Sequence, residues 1–177
     1  MLTTDEETRI FATGGTFDKE YNELNGDLFF KDTHIYEILK RGRNTVNISV
    51  RTLMMKDSLD MTEDDRQIIL SSCQNCNVEN IIVTHGTDTM IKTAKLLKEH
   101  IKNKTVILTG ALIPYAFGAS DAFFNLGSAL AYARILPYGV YINMNGRFFD
   151  PDNVKKNYET GFFDFLHEEE LPKLQFE

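Results

Sequence analysis

Four short stretches of this sequence carry groups that could do chemistry: Thr13-Gly14-Gly15-Thr16, Lys56-Asp57-Ser58, His85-Gly86-Thr87-Asp88-Thr89 and Gly110-Ala111. Hydroxyls, carboxylates, a histidine and glycines are the parts of an acyl-transfer site. A threonine hydroxyl attacks poorly at its own pKa and needs a base or a proton relay beside it. A Thr–Lys–Asp arrangement meets that need, with a lysine taking the proton and a carboxylate orienting the lysine. Asp88 is the candidate carboxylate, and either Lys155 or Lys156 the amine, provided the chain beyond residue 146 folds back. Gly14, Gly15, Gly86 and Gly110 would let backbone N–H groups approach a developing oxyanion.

Taken singly, each of these residues has a plainer reading. Thr87 and Asp88 are good helix N-caps, and Thr13 to Thr16 reads as a tight turn. Ser58 decorates a loop, Tyr21 packs, His85 is a structural hydrogen-bonder, and Lys155 and Lys156 are solvated. The turn at Gly14 lacks both the GxGxxG spacing and a following P-loop lysine. Convergence of the four stretches is what makes a site.

Hydrophobic periodicity supplies the elements that would bring them together. Strands are expected over 8–15, 45–54, 80–84, 104–110 and 138–146, and helices over 33–42, 61–73, 87–101 and 120–135. The polar and aromatic run 17–30, with its Asn-Gly pair, reads as a hairpin or flap. Strands alternating with helices predict an α/β fold: a doubly wound, mainly parallel sheet with helices on both faces. In such a sheet ligands bind beyond the carboxyl ends of the strands, and each polar stretch follows a predicted strand. One domain is expected, with a core over about 8–165 and an acidic tail over 166–177.

The 177 residues suffice for one full core, and 42% hydrophobic with 25% charged residues describes a water-soluble protein. A net charge of −7 argues against nucleic acid or an anionic membrane as partner. The first residues lack the apolar run of a signal peptide, so a cytoplasmic location is expected. Cys73 and Cys76 form a lone CxxC that closes a predicted helix, which reads as inert thiols. His34, His85, His100 and His167 have no metal-ligand spacing, so no metal is expected.

The pairing of "ATGGTF" with the later "THGTDTM" resembles the bacterial-type L-asparaginase family. "KDSLDM" is similar to its DSxDM segment, "TGALIPYAFGASDAFFNL" to its GAMRP…SDGxxNL stretch, and "GRFFDPDNVKKNYETGFFD" to the stretch bearing its lysine. The likeness implies hydrolysis of the side-chain amide of asparagine, or a related small amide, without a cofactor. It implies a covalent acyl-enzyme on Thr16, assisted by Tyr21 of the flap. Thr87, Asp88 and Lys156 then form the relay. Thr87 is also a candidate nucleophile or water activator, and Asp88 also a contact for the substrate's α-amino group. Substrate-contacting positions are Asp57, Ser58 and Leu59, with Ser58 at the α-carboxylate, together with Gly15, Gly86 and the Ala111 backbone near the amide.

Two departures stand out. Leu59 occupies a position that is usually polar in the family, which weakens amino-acid discrimination. The chain also resembles the N-terminal catalytic domain alone. A second subunit is therefore expected to complete the pocket as a homodimer or higher homo-oligomer, through apolar residues such as those of "AFFNL" or "FFDF". The competing expectation is a non-catalytic amino-acid or amide-binding regulatory module.

Overall fold

The computed structural model describes residues 6–167. Strands β1 (Thr8–Gly14), β4 (Ile48–Lys56), β5 (Asn80–Thr84), β6 (Thr105–Thr109) and β7 (Gly139–Met144) lie parallel, and β8 (Arg147–Phe149) closes one edge antiparallel to β7. The order is β4-β1-β5-β6-β7-β8. The chain steps outward from β1 to β4, then crosses back to β5 on the other side of β1. The carboxyl ends of β1 and β5 therefore flank the point where the winding reverses, the crevice where open α/β sheets bind ligands.

Alternation along the strands divides the core into two layers. Phe11, Ile81, Val83, Val106 and Leu108 face α2 (Glu63–Asn75) and α3 (Met90–His100), where Ile69, Leu70, Ala94 and Leu97 receive them. Ile10, Ala12, Ile82 and Ile107 face α1 (Ile35–Arg41) and α4 (Ala122–Ile135), against Ile35, Ile38, Leu126, Ala129 and Ala133. Burial on both faces explains why β5 and β6 read as unbroken apolar runs. Helix α2 starts at a capping box. Thr62 Oγ1 accepts the Asp65 N–H at 3.2 Å, and Asp65 Oδ2 accepts the Thr62 N–H at 2.8 Å.

The expected hairpin is present as β2 (Lys19–Tyr21) paired with β3 (Leu28–Phe30). Two features go beyond the sequence reading. The strand expected over 138–146 ends at Met144, and Asn145 (φ 56°) and Gly146 (φ 77°) turn the chain into β8. The segment beyond it folds back as β9 (Lys155–Lys156) paired with β10 (Phe163–Asp164). Val154 and Phe163 anchor this small hairpin in the α2/α3-side core. Cys73 lies in the same layer, where burial pushes its thiol up to about 12, as expected of an inert thiol. No helix among the described residues is long and apolar enough to cross a membrane. Most of the expected acidic tail, residues 168–177, lies outside the described residues.

Candidate active site

Gly15 sets how closely the first two turns approach. It holds φ 72° and ψ −176°, a conformation open essentially to glycine, and a Cβ there would lie 2.4 Å from the Gly86 nitrogen. Gly86 in turn stands against Ser58, whose Cβ and Oγ would both be 2.6 Å from an added Cβ. The His85 N–H donates to the Thr109 carbonyl at 2.8 Å, tying the end of β5 to that of β6. The four polar stretches singled out in the sequence thus meet at one edge of the sheet.

Thr16 opens a single 3-10 turn (Thr16–Asp18) immediately after Gly15. It is half-buried, and its hydroxyl has no hydrogen-bond partner among the described residues. Across the crevice, Lys156 Nζ donates to Thr87 Oγ1 at 2.9 Å and to Asp88 Oδ1 at 2.6 Å. The Lys156 side chain is 10% exposed and that of Asp88 33%. Lys155, the alternative amine, points to solvent, because neighbours on a strand face opposite ways. The Thr–Lys–Asp arrangement therefore exists as geometry, and it is built on Lys156.

The HGTDT turn differs from its expected reading as a cap. The helix begins at Met90, its N-cap is Thr89, and no side chain caps it. Thr89 Oγ1 instead donates to the Ser58 carbonyl at 2.8 Å and accepts from Arg66 Nη2 at 2.9 Å. Relieved of capping, Thr87 and Asp88 are available to Lys156. His85 is fully buried. Its Nδ1 lies 2.7 Å from the Gly86 carbonyl and its Nε2 2.8 Å from Thr93 Oγ1. A carbonyl only accepts, so Nδ1 carries the proton and Nε2 accepts from Thr93. Burial drives the His85 pKa down to about 4, which makes it a neutral brace for the turn.

The other residues singled out in the sequence have these surroundings. The Gly15 N–H donates to the Lys56 carbonyl at 2.9 Å, so it is not open to an oxyanion. Tyr21 is 56% exposed and its hydroxyl lies against Gly26 of its own hairpin, with no bond to Thr16. Ser58 is buried and its Oγ accepts the Thr89 N–H at 3.3 Å. Leu59 is 70% exposed, and its N–H donates to Asp57 Oδ1 at 3.0 Å. Ala111 is buried against the α4 side. Asn125, a residue the sequence reading passed over, ties the loop there. Its Nδ2 donates to the Gly110 carbonyl at 2.9 Å and its Oδ1 accepts the Asn145 N–H at 3.0 Å.

Lys19, a lysine in a polar hairpin, carries no signal in the sequence. Its ammonium donates to Asp57 Oδ2. Burial raises the Asp57 carboxyl, but the Lys19 hydrogen bond, the Leu59 N–H and the charges of Lys19 and Lys156 outweigh it and hold the carboxyl below its usual value. No group of side chains among the described residues could hold a metal ion.

The sequence model described as "Asparaginase, N-terminal" matches residues 8–175. The chain belongs to the asparaginase family. It is 35% identical over 125 residues to L-asparaginase 1 of Escherichia coli K12, covering 68% of this chain and 37% of that protein. Its fold superposes on the thermostable L-asparaginase of Thermococcus kodakarensis with a TM-score of 0.81 at 26% identity, covering 92% of this chain and 52% of that one. L-asparaginase I of Vibrio cholerae gives 0.80 at 26% identity, covering 91% and 51%. The chain thus spans about half the length of these asparaginases, or less. The shared part is the α/β fold of the mainly parallel sheet.

Proposed function

We propose that this chain is an L-asparaginase-like amidohydrolase that releases ammonia from asparagine or a related small amide through a threonine acyl-enzyme. The observation that carries the reading is Lys156 Nζ at 2.9 Å from Thr87 Oγ1 and 2.6 Å from Asp88 Oδ1, in the crevice that also holds Thr16. Membership of the family supports the amide substrate.

In this reading Thr16 Oγ attacks the amide carbon and its proton passes to the departing nitrogen. The C–N bond breaks, ammonia leaves, and the acid remains as an ester on Thr16. Lys156 Nζ, once it has released a proton to solvent, takes the proton of a water through Thr87 Oγ1; the water oxygen attacks the ester, its bond to Thr16 Oγ breaks, and Thr16 regains a proton. Asp88 keeps the lysine directed at Thr87. A general base in hydrogen-bond reach is what such proton transfers require. The proposed reaction calls on no cofactor. A second copy of the chain completes the pocket, with the exposed Phe123, Phe124 and Phe162 as its contacts.

The test is ammonia release from L-asparagine by the wild type, Thr16→Ala and Thr87→Val. Turnover abolished in both variants supports the reading. A wild type that binds aspartate without turning over asparagine replaces it with the non-catalytic amide-binding module.

A further inference from the structure

Asp57 brings a negative charge to the end of β4, beside the crevice, where a substrate carboxylate would otherwise be repelled. The neighbouring Leu59 is apolar and turned to solvent, so it offers no side-chain donor. Lys19 answers this charge from a different element. It lies on β2, three residues after Thr16, with its side chain 19% exposed and that of Asp57 24%. The Phe30 ring lies 5.9 Å from Nζ, which screens one side of the ammonium from water. An ammonium has three N–H groups, and Asp57 Oδ2 is the acceptor that Lys19 has among the described residues. Asp57 divides its carboxylate between Lys19 on Oδ2 and the Leu59 N–H on Oδ1.

The charges along the crevice therefore alternate. Lys19 pairs with Asp57, the Lys156 charge also acts on Asp57, and Lys156 pairs with Asp88. We infer that Lys19 is a specificity-determining residue: it binds the α-carboxylate of an amino-acid amide through its remaining N–H groups, with Asp57 as the resident carboxylate that orients it. The inference rests on the amidohydrolase reading above and names the substrate class as amides that carry a carboxylate next to the reacting arm. Lysine, a compact point charge with three donors, can hold two carboxylates at once. Asp57 competes with the substrate for Lys19, so the two residues act on affinity in opposite directions.

The experiment compares L-asparagine with 3-aminopropanamide, the same amide without its α-carboxylate, as ammonia-releasing substrates. In Lys19→Met the ratio of kcat/KM for asparagine to kcat/KM for 3-aminopropanamide should fall at least tenfold, mostly through KM, and Lys19→Arg should restore most of it. Asp57→Asn should lower KM for asparagine. A Lys19 that merely pins the hairpin would depress both substrates together and leave the ratio in place, which would overturn the inference while the amidohydrolase stands. Titration calorimetry with aspartate and β-alanine separates the remaining cases. A wild type that releases no ammonia but binds aspartate over β-alanine in a Lys19-dependent way retains this inference and ends the hydrolase reading. Binding of neither ends both.

Discussion

Replacing Lys156 with methionine keeps the aliphatic stem and removes the ammonium that joins Thr87 to Asp88. The stem continues to pack, because a lysine's methylenes lie along apolar surface while its head stays polar. Two hydrogen bonds are lost, at 2.9 Å and 2.6 Å. In a dry interior a bond to a charged group contributes about 1.5–3 kcal/mol. Asp88 is one-third exposed, however, so water replaces much of what it loses. Stability should fall by only about 1 kcal/mol. The rate should fall far more, by about 10²–10⁴-fold in kcat, as for loss of a positioned proton carrier. That is about 3–5 kcal/mol of transition-state free energy. The assay pairs ammonia release with urea unfolding on the same preparation. A folded Lys156→Met protein with less than a tenfold drop in kcat would refute the relay. A fall in stability of several kcal/mol would refute the view that the ion pair is partly wet.

Gly15→Ala places a Cβ 2.4 Å from the Gly86 nitrogen at φ 72°. Backbone strain alone costs about 1–3 kcal/mol, so urea unfolding should show a loss of at least about 3 kcal/mol once the contact is added. Gly127→Ala, where an added Cβ meets nothing within 4 Å, should instead stabilise α4 by about 0.5–1 kcal/mol. His85 is held down to about 4 by burial, against an ordinary value near 6.5. A lowered histidine contributes stability in full above pH 6.5 and loses it as pH falls toward 4, here about 3 kcal/mol. Unfolding midpoints of wild type and His85→Gln at pH 7 and pH 4.5 check this, with the acid loss expected to shrink in the variant. His34 opposes it. Its pKa is raised, chiefly by the Asp18 carboxylate, whose Oδ1 lies 3.7 Å from Nδ1, so what it contributes is present at low pH and fades as pH rises through its folded value.

The sheet was legible because its signals are local and repeated. β5 and β6 are apolar on both faces, and α2 carries its own capping box. The Asn145-Gly146 turn was equally local. The Asn-Gly pair is a tight-hairpin signal, and it ends the expected strand two residues before 146. The helix start after HGTDT could not be read that way. Thr87, Asp88 and Thr89 are all competent caps, and only the distant Ser58 carbonyl and Arg66 draw Thr89 aside. Lys19 was illegible for the same reason, since a lysine in a polar hairpin signals nothing until Asp57 comes beside it from β4. Lys156 stood between these cases. Its type was expected, but choosing it over Lys155 needed the alternation of a strand only two residues long.

That strand has a further consequence. A ladder of two residues a side has no stability of its own. Lys156 keeps its place because Val154 and Phe163, both nearly fully buried, peg the hairpin into the core from either end. Such a segment belongs to the part of a protein that opens first, well before the sheet gives way. The amine should therefore leave the crevice in fluctuations that spare β1 and β5. Mild denaturant should silence ammonia release at concentrations where the far-ultraviolet signal is still native, and amide protons of 154–164 should exchange faster than those of β5 and β6.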